Sequence, residues 1–358
     1  MATFRERNGR WQAIVRKANA KPLVQTFDRK YDAEQWANEI ERKMDRGGMP
    51  NFKALQETTV RDVLDEFKTK VVEHRKGWKH DCARIEVYKR ERWSYLRMSD
   101  DIASALRDWR DERLKTVKPQ SVNRDLNLLS SAFGYAMSEL GLPLEVNPVK
   151  RVKRPKVVGG ERDVTWTEEQ LVLFLDHFGW DIDSPPELQR DFTPWVLLIA
   201  KLTGMRRSEI CAIEMEKKLI DPVTGLCNPH IDFDIPGVYL PDTKNGDGHT
   251  YPLGSGAVRV LKKLVAHRKG AHKLIGCSAD SITTYMTNAR KELVEAGHNV
   301  GHLRVHDLRH THHTELLPRL TARGGTQLDM LRITGRRTMQ SLARYYNPKP
   351  KDLVRLLD

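Results

Sequence analysis

The chain opens on short alternating runs. Thr3 to Arg7 and Arg10 to Arg16 alternate in strand fashion on either side of Asn8-Gly9, the pair favoured in a two-residue hairpin turn. Leu23 to Phe27 predicts a third strand. From Asp32 the period lengthens, with Ala33, Trp36, Ala37 and Ile40 on one face of a helix. Arg46-Gly47-Gly48-Met49-Pro50 then breaks the pattern, as a linker does.

Beyond it, residues 56–149 read as entirely helical. Thr59 can cap a helix carrying Val60, Val63, Leu64 and Phe67, and further helices are predicted over Ile85 to Leu96, Ile102 to Leu114 and Ser121 to Leu140. The last places Val122, Leu126, Leu129, Phe133 and Ala136 at helical spacing. From about 162 the chain is again mostly helical. Thr165 or Thr167 caps a helix with Leu171, Phe174 and Leu175, and a hairpin is expected between about 229 and 253 around Asn245-Gly246-Asp247-Gly248. The expected fold is mostly α with small β elements: a sheet-plus-helix domain at 1–50, a helical domain at 56–149, a basic linker at 150–162, and a mixed, mainly helical domain at 163–358.

Charge changes this picture. The 358 residues carry a net charge of +13, which favours a polyanionic partner, nucleic acid being the commonest; an ordinary basic enzyme is the alternative. Arg5, Arg7, Arg10 and Arg16, with Trp11 among them, can set a basic sheet against DNA or form a merely solvated face. Lys150, Arg151, Lys153, Arg154 and Lys156 suit a phosphate backbone better than a packed core, though charged linkers are common. Lys76, Lys79, Arg84, Lys89, Arg90 and Arg92 are further phosphate candidates, each individually more often a solvated helix residue. The four cysteines show no metal-type spacing, Met1 to Arg7 has no apolar stretch, and the longest apolar run found, Trp195 to Ala200, is too short for a bilayer. The expectation is a reduced, soluble, cytoplasmic protein without membrane contact.

Four clusters in the last segment carry candidate chemistry. Thr203-Gly204-Met205-Arg206-Arg207-Ser208-Glu209 puts Arg206 and Glu209 on one helical face, where a surface ion pair is the plain reading. Lys244 sits at the hairpin tip, where a lysine is usually just solvated. His306-Asp307-Leu308-Arg309-His310 sets an imidazole and a guanidinium one turn apart. His306 and His310 at i, i+4 suggest zinc, but no third ligand with suitable spacing follows. Gly335-Arg336 leads to Arg344-Tyr345-Tyr346, tandem tyrosines that ordinarily pack.

In order and spacing these clusters resemble the signature of the tyrosine recombinase family, especially phage-type integrases. The match comprises the Thr-Gly-x-Arg box, the hairpin lysine, His-x-Leu-Arg-His, and the Gly-(His or Trp) turn leading to Arg-Tyr. The resemblance covers the whole third segment, and the two preceding segments resemble the family's arm-binding and core-binding domains. It implies catalytic positions for Arg206, Lys244, His306, Arg309, Arg336 and Tyr345, with Glu209 supporting Arg206, and strand cleavage through a 3′-phosphotyrosine without metal or cofactor. Arg336 stands nine positions before Tyr345, which favours Tyr345 over Tyr346. Arg336 is also the departure: the family has histidine or tryptophan there, and arginine donates to an anion but cannot shuttle a proton at neutral pH.

The implied partners are double-stranded DNA with specific recombination sites, a homotetramer on that DNA, and an accessory DNA-bending or directionality protein. Integration or excision of a phage or mobile element in a bacterium is the favoured reading. The alternatives are DNA inversion, a topoisomerase-like nicking and closing activity, a catalytically inactive DNA-binding regulator of the same fold, and a metal-dependent nuclease. The tail at Asp352 to Leu357 can form a short amphipathic helix that docks on a neighbouring protomer or packs back on its own domain.

Overall fold

A computed structural model describes residues 2–16, 22–45, 52–75, 77–158, 162–218, 226–241 and 248–343. Lys76, Lys244, Tyr345, Tyr346 and the helix expected at Asp352 to Leu357 lie outside the described residues, as does the linker expected at Gly47-Gly48. The chain divides into two compact units, Met1–Gly159 and Gly160–Asp358.

The first unit begins with an antiparallel sheet in the order β1 (Ala2–Arg7), β2 (Arg10–Val15), β3 (Leu23–Phe27), followed by helix α1 (Lys30–Asp45). Asn8 and Gly9 both take positive φ, 51° and 73°, as a two-residue turn between twisted strands requires. Register pairs Phe4 with Ala13 and Trp11 with Phe27, so strand alternation gathers Phe4, Trp11, Ala13, Val15, Leu23 and Phe27 against Ala33, Ala37 and Ile40 of α1. Arg5, Arg7 and Arg10 fall on the opposite face, and Arg16 is exposed just beyond β2. Trp11 is therefore part of the small core and does not lie among these arginines. Arg10 pairs with Asp28 at 2.8 Å, with both side chains largely in solvent.

The remainder of this unit is helical: α2 (Phe52–Glu57), α3 (Val60–Phe67), α4 (Trp78–Tyr88), α5 (Ile102–Leu114) and α6 (Pro119–Ser138). Thr59 caps α3 in a reciprocal box with Asp62, and Val60, Val63, Leu64 and Phe67 are buried. The helix expected over Ile85 to Leu96 instead starts at Trp78, stops at Tyr88 and gives way to a 3-10 turn over Arg92–Tyr95. Ser94 Oγ donates to the carbonyls of Lys89 and Glu91 and closes the bend, while the Tyr88, Trp93 and Trp109 rings meet at 5.5–6.1 Å. Two short elements sharing one aromatic core thus imitate a single helical period.

Asp125 of α6 is fully buried beneath this cluster. It accepts from Tyr88 Oη at 2.7 Å and pairs with Arg84 at 2.7 Å and Arg113 at 2.9 Å. Arg84 is thereby held within the protein, as is Lys89 by Asp65 and Glu86. Asp125→Ala removes the acceptor of a buried hydroxyl and of two arginines that are each about one-third exposed and can rehydrate. The expected loss is therefore about 2 kcal/mol, the scale of one buried group left without its partner and less than for breaking a fully buried ion pair. Urea unfolding measures it, and a midpoint equal to that of the parent contradicts this account.

The basic run 150–156 is not a free tether along its whole length. Pro148–Arg151 forms a 3-10 turn, and Val149 and Val152 are buried in the helical core. Arg110 Nη1 and Asn123 Nδ2 donate to the carbonyls of Lys153 and Pro155 at 2.7 and 3.1 Å, and Arg154 Nη1 donates to Asn123 O at 3.3 Å. The valines interleaved with the cations face inward, while Lys150, Arg151, Lys153, Arg154 and Lys156 are all exposed.

The second unit is built around α8 (Phe192–Thr203), whose side chains are nearly all buried. Around it lie α7 (Glu168–His177), α9 (Arg207–Ile210), α10 (Ser255–His267), α11 (Ala279–Glu295) and α12 (Val305–Thr321), while α13 (Gln327–Thr334) and α14 (Gln340–Ala343) form a small separate cluster with the end of α12. Thr167, not Thr165, caps α7, in a box with Gln170. The expected hairpin gains a strand, giving the antiparallel order β4 (His230–Asp232), β5 (Gly237–Leu240), β6 (His249–Pro252). Among the described residues, no helix is long and apolar enough to cross a membrane.

Candidate active site

Two helix ends and one strand frame the site. Helix α8 stops at Gly204, with φ of 66°, and α13 stops at Gly335, with φ of 65°, both in the left-handed cap conformation that glycine adopts without strain. A side chain at Gly204 has no room either: a Cβ there would lie 2.6 Å from the His312 ring.

Arg309 of α12 fastens the two ends together. Only 2% exposed, its guanidinium donates from Nη1 to Gly204 O at 2.5 Å and from Nη2 to Thr334 O at 3.2 Å. Nη1 also donates to the Tyr251 hydroxyl at 3.2 Å, and that hydroxyl donates to Glu209 Oε2 at 3.2 Å. Glu209 accepts in turn from the Arg206 backbone at 2.8 Å and from Arg206 Nη1 at 2.5 Å. A carboxylate that is only 11% exposed and orients a guanidinium by two contacts is more than the surface pair its spacing suggests. Arg206, Glu209, Tyr251 and Arg309 therefore form one connected chain of polar groups.

His306 lies three residues before Arg309 and opens on a cleft of about 560 Å³ lined by Arg206, Arg207, Ser208, Thr287, Arg290 and Arg304. The ring has an exposed edge, yet its proton affinity is lowered, first by partial desolvation and then by Arg309 and Arg206, with Arg336 adding to the effect. The start of α12 is pinned by buried Asp307, which accepts from the Arg304 backbone at 2.8 Å and from Arg162 at 2.6 and 2.9 Å. Arg336 stands just past Gly335, half-buried, and donates from Nη1 to Ser341 O of α14 at 3.0 Å. It thus tethers the short helix that ends two residues before Tyr345.

The other histidines have separate surroundings. His310 meets Asp163 at 3.2 Å, and His312 Nδ1 is 2.9 Å from Lys201 O. Burial pushes His312 down to about 4 and His313 well below the ordinary imidazole range. Among the described residues, no group of three or more metal-ligating side chains is gathered.

The structure thus brings Arg206, Glu209, His306, Arg309 and Arg336 to one place and adds Tyr251, Asp307, Thr334 and His249, which the motifs did not single out. Tyr251 and His249 had as their signal only alternation along β6, which marks inward-facing residues without saying what they touch.

Residues 192–346 match the model of the phage integrase family. The second unit belongs to that family. Over wider spans the chain is similar to two proteins named putative integrase/recombinase from Haemophilus influenzae. One is 26% identical, covering 74% of this chain and 68% of the relative; the other is 25% identical, covering 90% and 97%. It is also 27% identical to a shufflon-specific DNA recombinase of Escherichia coli, over 85% of this chain and 73% of the relative. The integrase fold is reproduced in solved structures. The Tn1549 transposon integrase in complex with transposon right-end DNA gives a TM-score of 0.60 at 17% identity, covering 84% of this chain and 98% of the other. A lambda integrase tetramer bound to a Holliday junction gives 0.55 at 16%, covering 94% and 95%.

Proposed function

We propose that this protein is a site-specific DNA recombinase that cleaves and rejoins strands through a covalent phosphotyrosine on Tyr345. The observation that carries the reading is the joining of Arg206 and Arg309 through Glu209 and Tyr251, with His306 beside them on an open cationic cleft. Planar guanidinium forks match the non-bridging oxygens of a phosphodiester and neutralise charge that grows in the transition state.

The tyrosine oxygen attacks phosphorus, the bond to the 5′ oxygen breaks, and the products are a 3′-phosphotyrosine and a free 5′-hydroxyl. A free tyrosine has a pKa near ~10, so the nucleophile must lose a proton on attack. His306, kept neutral first by partial burial and then by the cations around it, is suited to receive that proton. Lys244 protonates the departing oxygen. Arg336 holds α14 in place and adds positive charge near the phosphate site, while no proton transfer is assigned to it. The new ester conserves the phosphodiester, so rejoining needs neither ATP nor a metal. Exchange between two duplexes uses four active sites, hence a homotetramer, with the arginines of the N-terminal sheet and the basic run 150–156 following the DNA backbone. Integration or excision is the main reading; the shufflon-specific relative keeps inversion as the second.

The test is a suicide substrate carrying the attachment site, with denaturation-resistant adduct as readout. Adduct formation undiminished by EDTA supports the recombinase. Absence of adduct on the correct site, or cleavage abolished by EDTA, refutes it. The pH dependence follows from His306. Its pKa lies below the ordinary imidazole value, so the accepting neutral form is present at pH 7 and is lost as pH falls through the depressed pKa. Adduct formation should decline on the acid side, and His306→Gln should remove that limb. A flat rate into the acid range, in protein that remains folded, contradicts the assignment.

A further inference from the structure

Strand β6 comes directly out of the hairpin that carries Lys244, and its first residue, His249, reaches across to the end of α13. The edge of its ring faces the bare Cα of Gly335: a Cβ placed there would be 2.7 Å from Cδ2 and 3.0 Å from Nε2. The ring stands edge-on to Tyr251, with centroids 4.5 Å apart, and the backbone of Ile333 lies near enough to favour a proton on it, against the larger effect of burial. Among the described residues, Nε2 is buried without a hydrogen-bond partner, packed instead against that glycine. A buried ring nitrogen lacking a partner is uncommon and is tolerable only in a neutral imidazole.

From this placement we infer that His249 is a positioning residue that locks the hairpin strand onto the Gly335–Arg336 turn. On one side it fixes Tyr251, the hydroxyl between Arg309 and Glu209. On the other it fixes the turn from which Arg336 reaches α14. One side chain thereby sets the separation between the hairpin that carries the leaving-group acid and the segment that carries the nucleophile. Among the described residues, the charged groups that act on it are Glu209 and Arg309. Desolvation keeps the ring neutral, so no cation is added beside Arg309.

The inference rests on the recombinase reading, and its test separates the two. Full-length parent, His249→Ala and His249→Asn are compared in single-turnover adduct formation at saturating suicide substrate, alongside DNA affinity and thermal midpoint. Asparagine keeps a planar polar group of similar reach at this position. The expected result is an adduct rate at least about tenfold slower in the alanine variant, with DNA affinity within about twofold of the parent, and recovery of most of the rate in the asparagine variant. A folded alanine variant that cleaves at the parental rate overturns the inference. So does a folded asparagine variant as slow as alanine. Should the alanine variant fail to fold, the asparagine variant decides alone, near-parental rate supporting the inference and a slow rate overturning it. A parent that forms no adduct refutes the recombinase reading itself.

Discussion

Tyr345→Phe should abolish the covalent protein–DNA adduct while leaving Tyr346 in place and DNA affinity nearly unchanged. The two side chains differ by one hydroxyl, so packing is conserved and only the attacking oxygen is lost. With no nucleophile in position, the adduct should fall below detection, a larger effect than removing any single phosphate donor, which typically costs about 10²- to 10³-fold. Tyr346→Phe is the paired measurement and should retain adduct formation. Adduct that survives Tyr345→Phe and vanishes with Tyr346→Phe transfers the nucleophile to the neighbouring position. Adduct lost with neither leaves the tyrosine mechanism without support. A metal-dependent nuclease built on the histidines would be indifferent to both changes, and the separate engagements of His310 and His312 already give those rings other roles.

Much of the architecture was legible because local signals and global packing agree. Asn8-Gly9 is a strong turn signal and forms the turn, and Thr59 and Thr167 cap helices whose apolar faces are the buried ones. Disagreement arose where two elements share one core. The single helix expected over Ile85 to Leu96 is a helix and a turn joined under the Tyr88, Trp93 and Trp109 rings, because spacing records which residues go inward and not whether the backbone between them is continuous. Trp11 shows the same limit from the other side: its arginine-rich neighbours in sequence are its opposites across the sheet.

The candidate arginines and histidine were legible as a set only through their order, since each box alone has an ordinary reading. What sequence could not supply was the framework beneath them. Glu209 lies three residues from Arg206, but Tyr251 comes from a strand 42 residues beyond Glu209, and Thr334 lies 25 residues beyond Arg309. Contacts of that range are set by the fold and leave no period. The same holds for Arg336, whose bond to Ser341 O gives a role to an arginine that departs from the family's motif.

Arg309→Lys is the second substitution with a large expected effect, and charge alone does not predict it. Lysine keeps the positive charge but replaces a planar fork with a single ammonium. Gly204 O and Thr334 O are held by two different nitrogens of the guanidinium, and Tyr251 Oη shares the first of them. One Nζ cannot occupy both positions, so at least one buried carbonyl at a helix end loses its donor, at a cost of about 1–3 kcal/mol. The Gly204 and Gly335 caps are then no longer tied together, and Arg206 and Arg336, which follow them by one or two residues, lose their relative placement. Adduct formation should fall by at least about 10²- to 10³-fold, the scale for one lost preorganised donor, with a smaller loss of DNA affinity because the net charge of +13 is unchanged. Single-turnover cleavage measured below the variant's thermal midpoint separates the two effects. A folded Arg309→Lys protein that cleaves within tenfold of the parent would show that charge suffices at this position and that the fork geometry does not govern the rate.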